Sequence, residues 1–231
     1  MAHQAQDGAG TETDGRSTRW LGHKAERKER ILEAALAAIT DEGSDVGVQQ
    51  IAARADVPRS AVYRIFADRG DLDEQIRARI IDRLMADLAP ALTPQGTARQ
   101  AITRAVDTYL RWIVDAPRLH QFLGIGSASR RTTGSRVVTG TKTAIALQIS
   151  DQFATMLRNL DQDAAVAESL AFGLVGLVDA SVNRWLSNPE SAMTGAQLAD
   201  FLTTSIWQVL DGNLRRLGIT IDPATPLSEL I

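Results

Sequence analysis

Residues 51–66 read Ile51-Ala-Ala-Arg-Ala-Asp-Val-Pro-Arg-Ser-Ala-Val-Tyr-Arg-Ile-Phe66. Apolar side chains recur at helical spacing in two brief groups, Val48/Ile51/Ala52/Ala55 and Ala61/Val62/Ile65/Phe66, parted by Asp56-Val57-Pro58. Proline is tolerated in a first helical turn, where its missing N–H has no partner to lose, so a new helix is expected to begin at Pro58. Two helices of about two turns with a three-residue bend make a helix-turn-helix unit.

Upstream, Ile31, Leu32, Ala35, Leu36 and Ile39 continue the helical period from Lys24, and Gly43 closes the run where a left-handed cap would sit. Downstream, Asp68 stands three residues before Asp71, an acidic form of the capping box, and Leu72, Ile76, Ile80, Leu84 and Leu88 repeat every fourth residue. That helix is expected to end before Pro90. Another runs through Ile102, Ala105, Val106, Tyr109 and Ile113 and stops at Pro117, followed by a short segment, Arg118 to Leu123. Residues 124–140 are rich in Gly, Ser, Thr and Arg and read mostly as loop. Helices are expected at about 141–160, 163–187 and 195–216.

The predicted fold is all-α with about nine helices, a three-helix N-terminal unit joined to a larger C-terminal bundle. The expected division is a flexible acidic tail and basic arm (1–23), a helix-turn-helix domain (24–70), a bundle (71–217) and a C-terminal tail (218–231). Composition agrees: the chain has 231 residues, no cysteine, 5% aromatics and 44% hydrophobic residues. Zero cysteines exclude disulfides and thiolate metal clusters, and scarce aromatics disfavour sheets. His3, His23 and His120 lie too far apart in sequence to suggest a metal site, so neither metal nor cofactor is expected. No phosphate-binding or dinucleotide glycine signature is present; Gly124-Ile-Gly126-Ser follows a helical segment, not a strand. No serine has a nearby base to activate it, so an enzyme is not expected. The longest uncharged apolar run, Ser169–Val178, is about half a membrane span, and the first twenty residues hold no signal-peptide core. A cytoplasmic protein without membrane association is expected.

The net charge of −3 argues at first against a nucleic-acid partner. Its distribution removes the objection. Residues 1–15 carry −3, residues 16–72 carry +1 and the remainder −1, while residues 16–30 alone carry +4. That basic run is either a solvated helix face or a nucleic-acid contact.

Arg30-Ile-Leu-Glu-Ala-Ala, Ile51-Ala-Ala-Arg-Ala-Asp-Val57 and Val62-Tyr-Arg-Ile-Phe66, followed by Asp68-Arg69 and Leu72, resemble the N-terminal domain of the TetR family of bacterial transcriptional regulators. The resemblance covers about 50 residues. It implies binding to double-stranded DNA as a homodimer and response to a small-molecule effector. The helix after Pro58 would offer Arg59 and Ser60 to base edges first, then Tyr63 and Arg64 one turn on. Arg59 could hold guanine bidentately, whereas the family's tyrosine at the position of Tyr63 contacts phosphate. Arg69, where the family often has a phosphate-contacting lysine, would do the same. Gly47 departs from the family, which commonly has Ser or Thr there, and Gln49 or Gln50 would substitute. Arg16, Arg19 and Lys24 could reach the minor groove as a flexible arm.

In the bundle, Leu170, Leu174 and Leu177 share one face with Val166, and Phe172, Val175 and Val182 lie opposite. A helix apolar on both sides needs two partners. The resemblance implies that the last two long helices pack against a second subunit, with Leu170, Gly173, Leu174, Leu177, Phe201, Leu202, Ile206 and Val209 as interface residues. Tyr109, Trp112, His120, Phe122 and Met156 could wall a ligand pocket with Phe172, Asp179 and Asn183. Asp179 either pairs with Arg111 or Arg184 or meets a ligand. The resulting expectation is a homodimeric repressor released from a pseudo-palindromic operator by a small apolar effector. Two alternatives stand beside it: a helical ligand-binding or catalytic bundle whose N-terminal unit only packs, and a DNA-binding regulator without an effector.

Overall fold

The structure, a computed structural model, describes residues 11–124, 135–188, 190 and 193–230, with residues 11–21 described by their backbone alone. Nine α-helices and one turn of 3-10 helix occur among the described residues. Helix α1, Thr11–Glu42, ends where Gly43 adopts φ +96° and its N–H bonds the carbonyl of Ile39 at 2.9 Å. It begins thirteen residues before Lys24, so residues 11–23 of the expected flexible tail and arm are helical, while residues 1–10 lie outside the described residues.

Helices α2, Val48–Arg54, and α3, Arg59–Ile65, form the expected pair. Pro58 is the N-cap of α3 rather than its first residue. The bend is a Schellman motif in which Asp56 takes the left-handed position at φ +51°. Its N–H bonds the carbonyl of Ala53 at 3.1 Å, and the N–H of Val57 bonds that of Ala52 at 3.0 Å. Helix α4, Arg69–Ala91, starts at an Asp68 side chain that accepts from the N–H of Asp71 at 2.8 Å. The Asp71 carboxylate in turn accepts from the N–H of Ala67. Pro90 lies inside the last turn of α4 rather than after it. There the helix loses a single N–H near its end, and the N–H of Leu92 still bonds the carbonyl of Leu88.

Ile31, Leu36 and Ile39 of α1 pack with Ile51 of α2, Val62 of α3, Phe66 and Leu72 and Ile76 of α4 in one buried cluster. Each such side chain contributes about 1.5–3 kcal/mol on burial. Leu119 and Phe122 join the cluster from α6, Pro117–Gly124.

The bundle comprises α5, Ala98–Asp115, α7, Arg136–Asn159, α8, Val166–Leu186, and α9, Gly195–Arg216, together with α4. Helix α7 lies along α8, α5 along α9, and α4 contacts both α5 and α7. Thr97 and Thr194 cap α5 and α9 in capping boxes with Gln100 and Gln197. Residues 136–140 of the expected loop are the first turns of α7, and residues 125–134 lie outside the described residues. The C-terminal segment is packed: Ile221 is buried, Thr97 bridges Pro226, and the N–H of Leu227 bonds the carbonyl of Gly96 at 2.8 Å.

Candidate nucleic-acid interface and bundle cavity

Helix α3 divides sharply. Ala61 and Val62, with Phe66 just beyond, are buried, and Arg59, Ser60, Tyr63 and Arg64 face outward. Tyr63 is 42% exposed, unusual for an aromatic side chain, and the Arg59 guanidinium lies over its ring at 5.5 Å. The four-residue spacing makes this stacking possible and limits where Arg59 can point.

Around α3 the expected residues separate. Gln49 is exposed on α2. Gln50 reaches back instead: its Oε1 accepts from the N–H of Gly47 at 2.6 Å and its Nε2 donates to Glu42 at 2.8 Å. It therefore caps α2, a task that the absent hydroxyl at Gly47 leaves open, while remaining on the exposed surface. Arg69 is also engaged within the fold. Its Nε donates to Asp73 Oδ1 at 2.7 Å and its Nη1 to the carbonyl of Val46 at 2.9 Å, so it ties α4 to the loop before α2 rather than reaching outward. Asp73 is buried, and desolvation holds its carboxyl above the usual pKa although Arg69 and Arg77 pull it down. Asp73 four residues after Arg69 was the sequence signal for this pair. Lys24 is exposed on α1, and Arg16 and Arg19 fall on the same continuous helix rather than on a flexible arm.

The bundle holds a partly open cavity of about 570 Å³. Tyr109, His120, Met156, Asp179 and Asn183 line it. The other three expected residues do not. Trp112 packs between the N-terminal and bundle cores, and Phe122 is buried in the N-terminal core under the guanidinium of Arg77, 5.0 Å from its ring. Phe172 is 40% exposed on the outside of α8. Helix α6 explains two of these outcomes: Leu119 and Phe122 are buried in the N-terminal core, His120 lines the cavity, and Leu123 touches both.

The polar lining gathers at one end. Lys142 Nζ lies 2.7 Å from Asp179 Oδ1, which also accepts from Asn183 Nδ2 at 2.9 Å. Tyr109 Oη and His120 Nε2 are 3.3 Å apart. Burial raises the Tyr109 pKa, and the Asp179 charge adds to this. Burial lowers that of His120, against the pull of Asp179 and with the push of Lys142. Both groups are therefore neutral near pH 7. The partner of Asp179 is Lys142, not Arg111 or Arg184. Lys142 is the lone charged residue between Arg136 and Asp151, a signal that was present in the sequence. Ile221, Leu227 and Leu230 of the C-terminal segment also line the cavity, and nothing in their spacing announced it.

On α8 and α9, Leu174, Leu202 and Ile206 are buried in the protomer's own core, which corrects their expected place at a subunit interface. Leu170 and Leu177 are half-buried. Phe172, Phe201 at 46% and Val209 at 40% remain exposed, beside the exposed Gly173 and Gly176. Helix α8 is the one helix among the described residues long and apolar enough to cross a membrane, and Ala167, Ala171, Leu174 and Val182 on one side of it are buried in the bundle. No group of three or more metal-ligating side chains occurs among the described residues.

A helix-turn-helix whose second helix presents arginines and a tyrosine outward, seated on an all-helical bundle, defines a DNA-binding transcription regulator. Residues 31–76 match the family model of bacterial regulatory proteins, tetR family. Relatives include the HTH-type transcriptional regulator Rv0472c of Mycobacterium tuberculosis, 26% identical over 201 residues, covering 87% of this chain and 84% of the relative. The HTH-type transcriptional activator FasR of Mycolicibacterium smegmatis is 26% identical over 164 residues, 71% of this chain and 74% of its own length. Among solved structures, a tetR-family transcriptional regulator from Streptomyces coelicolor shares the fold with a TM-score of 0.64 at 20% identity, over 83% of each chain. The family and these relatives are regulators rather than enzymes.

Proposed function

We propose that the protein is a cytoplasmic homodimeric repressor that reads a pseudo-palindromic operator through two copies of α3 and leaves it when a small apolar effector fills the bundle cavity. The observation that carries the reading is the outward face of α3, where Arg59, Ser60, Tyr63 and Arg64 stand free of the core at the end of the helix that enters a groove first. Arg59 reads a base, Tyr63 positions the helix on phosphate, and Ser60, Arg64 and Gln49 fill out the contact. Arg16, Arg19 and Lys24 follow the backbone along α1. The second subunit docks on Phe172, Gly173, Gly176, Phe201 and Val209, with Leu170 and Leu177 at the margin. This sets the two reading helices about 34–36 Å apart or a multiple of it.

An effector changes DNA affinity only by binding the two arrangements of the dimer unequally. The cavity lies against α4 and α6, the elements that also pack into the N-terminal core. Selection of duplexes from random DNA tests the reading: enriched sites with two-fold symmetry support it, and a pool without enrichment overturns it. A second reading, activation rather than repression, is favoured by the name of the relative FasR, an activator. Transcription in vitro from a selected site separates the two.

A further inference from the structure

The cavity has a direction. Helix α5 lines it from Ala98 to Tyr109, three turns or about 16 Å. At the Ala98 end stand Leu92, Ile221, Leu227 and Leu230, all apolar; at the Tyr109 end stand His120, Lys142, Asp179 and Asn183. Helix α7 runs alongside in the opposite sense, from Lys142 beside Asp179 to Gln152, whose Nε2 donates to the carbonyl of Leu92 at 3.4 Å. The space is therefore a long, mostly apolar slot with its charged groups at one end and a single amide, Gln152, already bonded at the other.

Charge at that end is balanced. Among the described lining residues only Lys142 and Asp179 are charged, and they neutralise each other at 2.7 Å. Tyr109 and His120 are neutral and hydrogen-bonded to each other. A carboxylate entering here competes with Asp179 for Lys142, and an ammonium competes with Lys142 for Asp179, at a pair whose side chains are 43% and 31% exposed. A hydroxyl or ester carbonyl faces neither competition, since Tyr109, His120 and Asn183 offer both donors and acceptors.

Resting on the reading of the bundle as an effector site, we propose that the effector is an elongated, uncharged amphiphile with a single alcohol or ester head. Its head lies among Tyr109, His120 and the Lys142–Asp179 pair, and its chain runs toward Leu227 and Leu230. The pair sets the specificity by excluding heads of either charge.

Calorimetric titration of the full chain with dodecan-1-ol, dodecanoic acid, dodecylamine and hexan-1-ol, each below its micelle threshold at neutral pH, tests this directly. The expected result is that dodecanol binds at least tenfold tighter than the acid, the amine and hexanol. Asp179→Asn leaves Lys142 unbalanced and is expected to reverse the order in favour of the acid; Lys142→Gln is expected to favour the amine. Equal or tighter binding of the acid or the amine by the unmodified protein overturns the proposal, as does affinity independent of chain length or no binding by any probe. Should a variant fail to fold, the series on the unmodified protein decides alone. None of these measurements involves DNA, so the operator reading can fail in the selection experiment while this one stands, and the reverse.

Discussion

Arg118 Nη1, on the short helix α6, donates to the carbonyl of Thr40 at 2.9 Å near the C-terminal end of α1. Helix α1 has no basic residue in its own last turn, so Arg118 supplies the cation that its terminal carbonyls favour. Its neighbours on α6 face two ways, Leu119 and Phe122 into the N-terminal core and His120 into the cavity, with Leu123 touching both. An occupant that displaces His120 therefore moves an element that is bonded to α1.

Arg118→Ala is expected to cost about 0.5–1 kcal/mol in stability, with DNA affinity in the absence of effector little changed. The effector-dependent change in affinity should shrink. Operator titrations with and without effector, beside urea melts, measure the two effects separately; an undiminished response would remove Arg118 from the coupling.

Arg59→Ala and Arg69→Ala should behave differently. The first removes an exposed side chain, so unfolding is unaffected, but discrimination at one base position per half-site falls by about 1–3 kcal/mol. The second strips Asp73 of its ion-pair partner and should destabilise the chain by about 1–3 kcal/mol. Thermal melts combined with binding to single-base operator variants distinguish them. A melt of Arg69→Ala identical to that of the unmodified protein would return Arg69 to the phosphate-contacting role.

Phe201→Asp places a charge on an exposed position of α9 and should leave the protomer folded while dissociating the dimer. Leu202→Asp, one residue away, enters the bundle core and should unfold the chain. Sedimentation velocity with circular dichroism checks the pair. A dimeric Phe201→Asp variant would place the interface elsewhere.

Acid should weaken the fold through His120. Its folded pKa is depressed by burial, so below the ordinary imidazole value of about 6.5 the unfolded chain binds the extra proton. Stability is full above that value, is lost as pH falls toward the folded pKa, and levels out beneath it. Asp73 acts oppositely: its raised pKa lets the folded state bind the extra proton, so its contribution declines as pH rises from 3.8 to the folded value. Comparing urea melts of the unmodified chain and His120→Gln across this range isolates the imidazole. The variant should show a flatter decline, and equal slopes would exclude it.

Much of the helix-turn-helix unit was legible because its signals are local. Asp68, three residues from Asp71, gave the start of α4, and Gly43 the end of α1; Asp56-Val57-Pro58 gave the bend. Helix α9 runs from Gly195 to Arg216, as its apolar spacing predicted. The start of α1 was less legible, since the polar residues from Thr11 carry no core signal, yet a helix once nucleated extends through them at little cost. The intramolecular partners of Gln50 and Arg69, Glu42 and the carbonyl of Val46, lie in other elements of the unit and were not legible from local spacing.

The sequence by itself determined most helix boundaries, the starts of α1 and α7 and the end of α4 excepted, and which side of most helices turns inward, because caps and apolar periods act within a few residues. Only the tertiary structure decided that Lys142 meets Asp179, that Ile221, Leu227 and Leu230 close the far end of the cavity, and that Phe172 faces outward while Val182 is buried. Periodicity gives a helix an apolar direction, or two. Which direction meets the core, a cavity or another subunit depends on the helices packed around it, and those come from remote parts of the chain.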